Sequence, residues 1–169
     1  MMLSHEHFMK QALEEARKAL AENEFPVGCV LVVGNEVIAR GRRANTGQNA
    51  RNELDHAEIV ALRQINISSQ DCHPGRIIAY CTMEPCLMCY AALMLSQVRK
   101  IVFAYEDAMG GGTALPVARL NPLYRQIDME VIPHVLRRES LDLFKQFFLN
   151  PSHDYWRDSY LAAYTLEQK

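Results

Sequence analysis

The sequence predicts a layered α/β protein, because strand-like and helix-like segments alternate along most of its 169 residues. The continuous apolar run 27–33 is typical of a buried strand. Gly34-Asn35 is a hairpin-turn dipeptide, so 37–41 is predicted to return as the second strand. After this hairpin, strands alternate with helices, which favours parallel pairing. A chain of this length is expected to form one domain.

The other elements each have a local signal. Ser4 can cap a first helix that runs to about Glu22, since apolar residues recur there with helical spacing. A polar loop, 42–55, leads to a helix predicted from His56 to about Ile65. The remaining predictions are strands at 77–82, 98–105 and 129–133, a helix beginning at Pro85 and a helix over 141–149.

Two short motifs predict a catalytic zinc centre. One is His56-Ala57-Glu58, and the other is the Pro-Cys-x-x-Cys run that contains Cys86 and Cys89. Together they match the H-x-E…P-C-x-x-C signature of zinc nucleobase deaminases. His56, Cys86 and Cys89 would be three zinc ligands, and catalytic zinc sites keep three protein ligands whereas structural sites usually have four.

The chemistry of deamination explains these residue types. Replacing an aromatic amine by a carbonyl needs a nucleophile stronger than neutral water, and zinc lowers the pKa of its bound water to about 7. The resulting hydroxide would attack the amino-bearing ring carbon. Protons must then reach a ring nitrogen and the departing amine, and we expect Glu58 to carry them as general base and acid.

The spacing of the cysteines is compatible with this site. With Pro85 in the first turn of a helix, Cys86 and Cys89 would lie on one face near the positive end of the helix dipole, which favours thiolates. A structural zinc knuckle or a redox C-x-x-C pair is the alternative. Cys29, Cys72 and Cys81 are expected to be buried or free thiols.

Composition restricts the class of protein. A hydrophobic content of 49% with 22% charged residues is ordinary for a globular protein. No apolar run approaches the ~20 residues that span a bilayer, and no signal peptide is recognisable at the N-terminus, so a cytoplasmic protein that does not enter a membrane is expected. The net charge of −2 gives no general attraction to nucleic acid.

With these motifs and their flanks, the chain is identified as a member of the cytidine deaminase-like superfamily and most resembles the bacterial tRNA-specific adenosine deaminases. The resemblance runs from about Phe8 to Phe148 and includes the segments 24–28, 56–64 and 83–89. It implies a three-layer α/β/α fold with a five-stranded mixed sheet, one Zn²⁺ per subunit and a homodimer.

The resemblance also implies substrate-binding residues. Asn45, 11 residues before His56, would hold the base, and the backbone N–H of Ala57 would add a second contact. Pro26 and Val27 would border the substrate, and Asp107 would lie near the nucleic acid. Without the resemblance, the Asn45 segment is equally typical of a turn. Asp107 would then be a solvated loop charge, and the glycines at 110–112 would form a flexible surface loop.

Departures from the family leave the substrate open. Glu106 and Met109 stand where relatives that act on tRNA usually carry basic residues, and RNA affinity depends heavily on neutralising phosphates. The basic pairs 42–43, 99–100 and 137–138 are more typical of solvated faces. The leading interpretation is deamination of adenosine to inosine in tRNA, and the alternative is deamination of a free base or nucleoside such as guanine or cytosine. A non-catalytic zinc scaffold would leave Glu58 without a role.

The deaminase domain is expected to span 1–149, followed by a C-terminal extension, 150–169, whose aromatic residues would pack on the same domain or on a partner subunit. The extension could instead cover an active site. Its aromatic residues are Tyr155, Trp156, Tyr160 and Tyr164.

Overall fold

The protein folds as five strands and six α-helices in a computed structural model that describes residues 3–47, 51–65 and 75–169. The strands are β1 (Gly28–Val33), β2 (Glu36–Arg42), β3 (Ile77–Met83), β4 (Lys100–Tyr105) and β5 (Glu130–Ile132). The helices are α1 (His5–Ala21), α2 (Ala57–Leu62), α3 (Leu87–Leu95), α4 (Pro122–Arg125), α5 (Arg137–Leu149) and α6 (Tyr160–Glu167), with a 3₁₀ turn at Val117–Arg119. Cys72 lies outside the described residues.

The strands form one mixed sheet in the order β2-β1-β3-β4-β5. β1 pairs antiparallel with both β2 and β3, whereas β3, β4 and β5 run parallel. The opening hairpin and the later parallel pairing are therefore as predicted. Cys29 faces Cys81 across the β1–β3 pair, with 3.8 Å between the two sulfur atoms, and both are buried free thiols.

Helices cover both faces of the sheet, which confirms the three-layer α/β/α prediction. Alternate residues of β1 point to opposite faces: Val30 and Val32 contact α1, while Cys29 and Leu31 belong to the core beneath α2 and α3. Gly41 lets α2 approach β2, because a Cβ there would lie 2.0 Å from the carbonyl oxygen of Ala57. Within the described residues, no helix is long and apolar enough to cross a membrane.

The predicted start of α3 was wrong by two residues. Cys86 is the N-cap, with extended dihedral angles (φ −66°, ψ 170°), and the helix begins at Leu87. Pro85 therefore precedes the cap instead of occupying the first turn. Cys86 forms an isolated bridge with Gly111, and its carbonyl accepts the first helical hydrogen bond, from Tyr90 (2.8 Å), which explains its extended backbone.

The C-terminal extension lies against the rest of the chain. The hydroxyls of Thr165 and Tyr105 are 3.0 Å apart in the interior, and Tyr164 donates to Glu106 (2.8 Å). Helical spacing predicted one helix through positions 156, 160 and 164. Only part of that prediction is correct, because Ser159 caps α6 and Trp156 lies in the preceding turn with a φ of 55°.

Candidate active site

Three side chains meet at the N-terminal ends of α2 and α3. The Nδ1 atom of His56 is 3.6 Å from the sulfur of Cys86 and 3.5 Å from that of Cys89. All three potential ligand atoms lie within 4.8 Å of one another. Tetrahedral zinc, with Zn–S of about 2.3 Å and Zn–N of about 2.0–2.1 Å, separates such N and S atoms by about 3.6 Å. The donor set and its spacing therefore fit Zn²⁺.

Helix starts position these ligands. His56 is the N-cap of α2 and Cys86 is the N-cap of α3, while Cys89 lies in the first turn of α3. Both helices direct their positive dipole ends toward the ligand cluster, which favours thiolates and other negative charge there. The sequence motif thus becomes a site because two strand-to-helix connections converge at one end of the sheet.

The electrostatics of the cluster favour a thiolate. The hydrogen bond with Cys89 lowers the pKa of Cys86 to about 4, against partial burial that raises it. The same bond and burial raise the pKa of Cys89. Burial would lower the pKa of His56, but the hydrogen bond with Cys86 and the charge of Glu58 raise it. One thiolate is thus already favoured, and zinc binding would remove the second thiol proton.

Glu58 lies beside the ligands in the first turn of α2. It is only 3% exposed, and its Oε2 atom has no hydrogen-bond partner among the described residues. Burial raises the pKa of this carboxyl group. A buried polar atom without a partner is costly, so this atom is a candidate for a chemical role. A carboxyl group with a raised pKa next to the metal ligands is suited to accept and return a proton.

A cavity of about 170 Å³ opens onto this centre. This volume is below the roughly 300–1,000 Å³ of pockets that hold drug-sized ligands, and it suits one small heterocycle. Its wall is mainly apolar, and four carboxylate side chains also line it. The lining residues are Phe25, Val27, Arg43, Glu53, His56, Ala57, Glu58, Met83, Glu84, Cys86, Asp107, Met109, Gly110, Tyr155, Trp156 and Leu161.

Three of the five expected substrate-binding residues line this cavity: Val27, Ala57 and Asp107. Pro26 is buried next to Val27 but is not part of the lining. Asn45 also lies outside the lining, and its amide donates to Asp55 (2.6 Å). The structure therefore brings three of these residues to the site and leaves two beside it.

The loop after β4 is packed against the cavity. Its Asp107 accepts from the backbone of Gly110 (2.8 Å), and burial raises the pKa of this carboxyl group, so it is not an ordinary solvated charge. Glu84 accepts from the backbone N–H groups of Asp107 (3.2 Å) and Thr113 (3.3 Å). A Cβ at Gly112 would come within 2.6 Å of the backbone nitrogen of Leu87. The glycines thus allow close packing on α3, which the expectation of a free surface loop did not include.

Several cavity residues carried no recognisable signal. Arg43 was expected on a solvated face, but only 2% of it is exposed, and it donates to Glu53 (3.0 Å). Tyr155, Trp156 and Leu161 come from the C-terminal extension, about 100 residues after the histidine motif. The aromatic character of the extension was visible in the sequence, but its place beside the zinc ligands required the fold.

Comparisons with known proteins agree with this geometry. Residues 2–105 match the model of the cytidine and deoxycytidylate deaminase zinc-binding region. The tRNA-specific adenosine deaminase of Bacillus subtilis (strain 168) is 34% identical over 149 residues, which cover 87% of this chain and 90% of that protein. The corresponding protein of Aquifex aeolicus (strain VF5) is 30% identical over 148 residues, which cover 86% of this chain and 95% of that protein.

Solved structures show the same fold. One, from studies of A-to-I editing by tRNA:A34 deaminases, has a TM-score of 0.64 and 29% identity, covering 81% of this chain and 98% of that one. A guanine deaminase from Nitrosomonas europaea has a TM-score of 0.66 at 21% identity, and the match covers 87% of this chain and 86% of that one. At this level of identity, the match shows the fold alone.

An α/β/α sandwich that brings two cysteine sulfur atoms, one imidazole and a buried carboxyl group together at two helix starts defines a zinc-dependent deaminase. The chain belongs to the cytidine and deoxycytidylate deaminase zinc-binding family.

Proposed function

We propose that this deaminase converts adenosine to inosine in tRNA. The observation that carries the reaction is the convergence of the three ligand atoms on the buried Glu58 carboxyl group. The choice of substrate is supported by relatives with 30–34% identity over most of their length, which are tRNA-specific adenosine deaminases. The reaction consumes water and releases ammonia.

The chain's own residues have defined tasks in this proposal. His56, Cys86 and Cys89 would hold Zn²⁺, which supplies a water molecule of lowered pKa. Glu58 takes a proton from the water side and delivers protons to the ring nitrogen and the departing amine. The buried position of Glu58 keeps bulk water from competing for these protons.

Substrate contacts are proposed for the same cavity. Ala57 would donate its backbone N–H to the base, Val27 would contact the ring, and Asp107 would lie at the rim near the adjoining nucleotides. Pro26 would support Val27 from behind. Asn45 would reach the base only after its amide releases Asp55, so its contribution requires a side-chain rotation.

A second candidate, deamination of a free base or nucleoside, is favoured by the charges on the surface. Arg42 pairs with Glu22 (2.7 Å), and Lys100 pairs with Glu130 (2.8 Å). Glu106, where relatives that act on tRNA carry a basic residue, holds Arg137 in an ion pair. These cations are engaged within the protein, which reduces the charge available to phosphates.

Turnover assays separate the candidates. Zinc-loaded protein is incubated with an anticodon stem-loop containing adenosine, and with a panel of free bases and nucleosides. Ammonia release and inosine formation are measured, with Glu58→Gln as the control. Inosine in the stem-loop supports the proposal. Ammonia from a free base, without inosine in the stem-loop, supports the second candidate. Bound zinc without ammonia from any compound would contradict both and indicate a scaffold.

We also propose a single deaminase domain, 1–149, with the extension 150–169 packed on it, assembled as a homodimer. Exposed apolar side chains on α3, among them Leu87 and Leu95, support the assembly. Sedimentation at micromolar concentration tests this, and a species of monomer mass alone would contradict it. As an enzyme acting on tRNA, the protein would work in the cytoplasm.

A further inference from the structure

The turn that precedes α6 places an aromatic ring at the mouth of the catalytic cavity. Trp156 lines the cavity, yet 46% of it is exposed. Its backbone has a φ of 55°, a left-handed conformation that is unfavourable for a bulky residue. Strain of this kind persists only where the surrounding structure enforces it, and it concentrates at ligand-binding sites. The chain therefore holds a large apolar surface in partial contact with water beside the metal ligands.

The neighbouring residue fixes this turn to the body of the protein. The hydroxyl of Tyr155 donates to Glu53 (2.7 Å), which also accepts from the buried guanidinium of Arg43 (3.0 Å). The guanidinium of Arg51 lies 5.4 Å from the centre of the Tyr155 ring. The two rings of Tyr155 and Trp156 meet edge to face, with centroids 5.7 Å apart. Trp156 is thus attached to an anchored neighbour.

The rest of the cavity suits a flat ring. Phe25, Val27 and Leu161 supply apolar surface, while His56 and Glu58 lie at the catalytic centre. An aromatic face at the mouth adds a stacking surface for a heterocycle whose reactive edge points inward. Base–aromatic stacking contributes about 5- to 150-fold in affinity per base, equivalent to about 1–3 kcal/mol.

We propose that Trp156 is a specificity-determining residue that stacks on the purine ring undergoing deamination, and that Tyr155 positions it through Glu53 and Arg43. This inference rests on the proposed function, because a purine substrate is assumed. The C-terminal extension then belongs to the substrate site of its own chain.

The sequence contains one tryptophan, so intrinsic tryptophan fluorescence reports on Trp156 directly. Zinc-loaded Glu58→Gln protein is titrated with adenosine and with the anticodon stem-loop. We expect saturable quenching by each ligand that enters the cavity. In Tyr155→Phe, which keeps the ring but loses the hydroxyl contacts, we expect lower fluorescence anisotropy in the free protein and weaker quenching.

Kinetics give an independent readout. Trp156→Ala should raise KM at least about 5-fold, the lower end of the stacking range, with kcat within about threefold, and Trp156→Phe should restore most of the loss. Tyr160→Ala is the matched control, since Tyr160 is an exposed aromatic residue of the same segment (64%) that does not line the cavity. Each variant is checked for zinc content and thermal stability.

The outcomes distinguish this inference from the function on which it rests. Two results together would overturn the stacking role and leave the proposed function standing. One is inosine formation by Trp156→Ala with an unchanged KM, and the other is the absence of ligand-induced quenching in the Glu58→Gln protein, which keeps Trp156. Tryptophan fluorescence that changes on dilution of the protein but with no ligand would also overturn the stacking role, and it would assign Trp156 to a subunit contact. Quenching by a purine that the wild-type enzyme does not deaminate would support the stacking site while rejecting that purine as substrate.

Discussion

Glu58 is the residue on which the proposed chemistry depends most. Its sequence position, two residues after a ligand, keeps it out of the metal coordination set but next to it. Its burial raises the pKa of its carboxyl group, and one of its oxygen atoms has no partner among the described residues. A structural carboxylate would be paired, so this arrangement supports the proposed role of Glu58 as a proton carrier.

Replacing Glu58 by Gln should abolish turnover while leaving the fold intact. The amide has nearly the same shape but cannot accept and return a proton, so kcat should fall by at least about 10²–10⁴-fold. Zinc content should stay near that of wild type, because the expected zinc ligands are His56, Cys86 and Cys89 and not Glu58. Single-turnover ammonia release and metal analysis measure the two effects. A kcat within threefold of wild type would refute the role.

At the level of elements, the loop after β4 supports the zinc centre. Gly112 donates its backbone N–H to Pro85 (2.9 Å), and Gly111 forms a bridge with Cys86. The loop therefore braces the extended backbone that presents Cys86. The sequence predicted the ligand but not its brace, because three glycines in a row give no indication of which backbone they will contact.

Gly112→Ala should weaken zinc binding. The added Cβ would lie 2.6–2.8 Å from backbone atoms of Leu87 and Cys86, which cannot move without shifting the start of α3. We expect at least a 10-fold loss of zinc affinity in chelator competition. Gly47→Ala, where a Cβ meets nothing within 4 Å, is the matched control. Cys86→Ala serves as the reference for complete loss of zinc binding. Wild-type affinity in Gly112→Ala would show that the loop does not brace the ligand.

One of the contacts that attach helix α6 is made by the carboxylate of Glu106. Partial burial alone would raise the pKa of Glu106, but hydrogen bonds from Arg137 and Tyr164 outweigh it and hold the pKa at about 2. Because the folded pKa is below the ordinary value of 4.5, the stabilisation is complete above that value and is lost as the pH falls toward about 2.

Glu106→Gln should therefore reduce stability at pH 7 and remove part of its acid dependence. We expect a loss of about 1–2 kcal/mol at pH 7, discounted for partial exposure of the ion pair. The difference from wild type should shrink as the pH is lowered from about 5 to 2. Denaturant unfolding across this range measures it, and hydrogen exchange should show faster opening of α6. Glu36→Gln, at an exposed position on β2, is the control. A pH-independent difference would contradict the argument.

At the scale of the whole molecule, the fold was predictable because it depends on the spacing of apolar residues and on the alternation of strand-like and helix-like segments. Apolar runs gave the strands, and Ser4 marked the start of α1, where its side chain accepts from His7 (3.2 Å). The site was only partly predictable. His56, Glu58 and the cysteines follow a local spacing, whereas Arg43 and Trp156 join the cavity through contacts between distant segments. Such contacts leave no local pattern in one sequence.

The distribution of charge predicts weak salt dependence for tRNA binding. Each phosphate neutralised by the protein contributes about −0.7 to −0.9 to the slope of log K against log salt. Since Arg42, Lys100 and Arg137 are engaged in ion pairs with carboxylates of the same chain, we expect a slope of about −1 to −3 for the stem-loop.

Fluorescence anisotropy of a labelled stem-loop bound to Glu58→Gln protein, between about 50 and 200 mM salt, measures this slope. Binding of free adenosine should be nearly independent of salt and serves as the reference. A slope steeper than about −5 would mean that these ion pairs open and contribute to a large phosphate interface.

Part of the cavity wall is synthesised after the metal ligands. The last zinc ligand is Cys89, whereas Leu161, which lines the cavity, follows 72 residues later (161 − 89). At a synthesis rate of about 5–20 residues per second, this interval lasts roughly 4–14 s. During that time the nascent chain presents its metal-binding motifs while the wall formed by the extension does not yet exist. A metal ion that binds during this interval meets a centre that the extension does not yet cover.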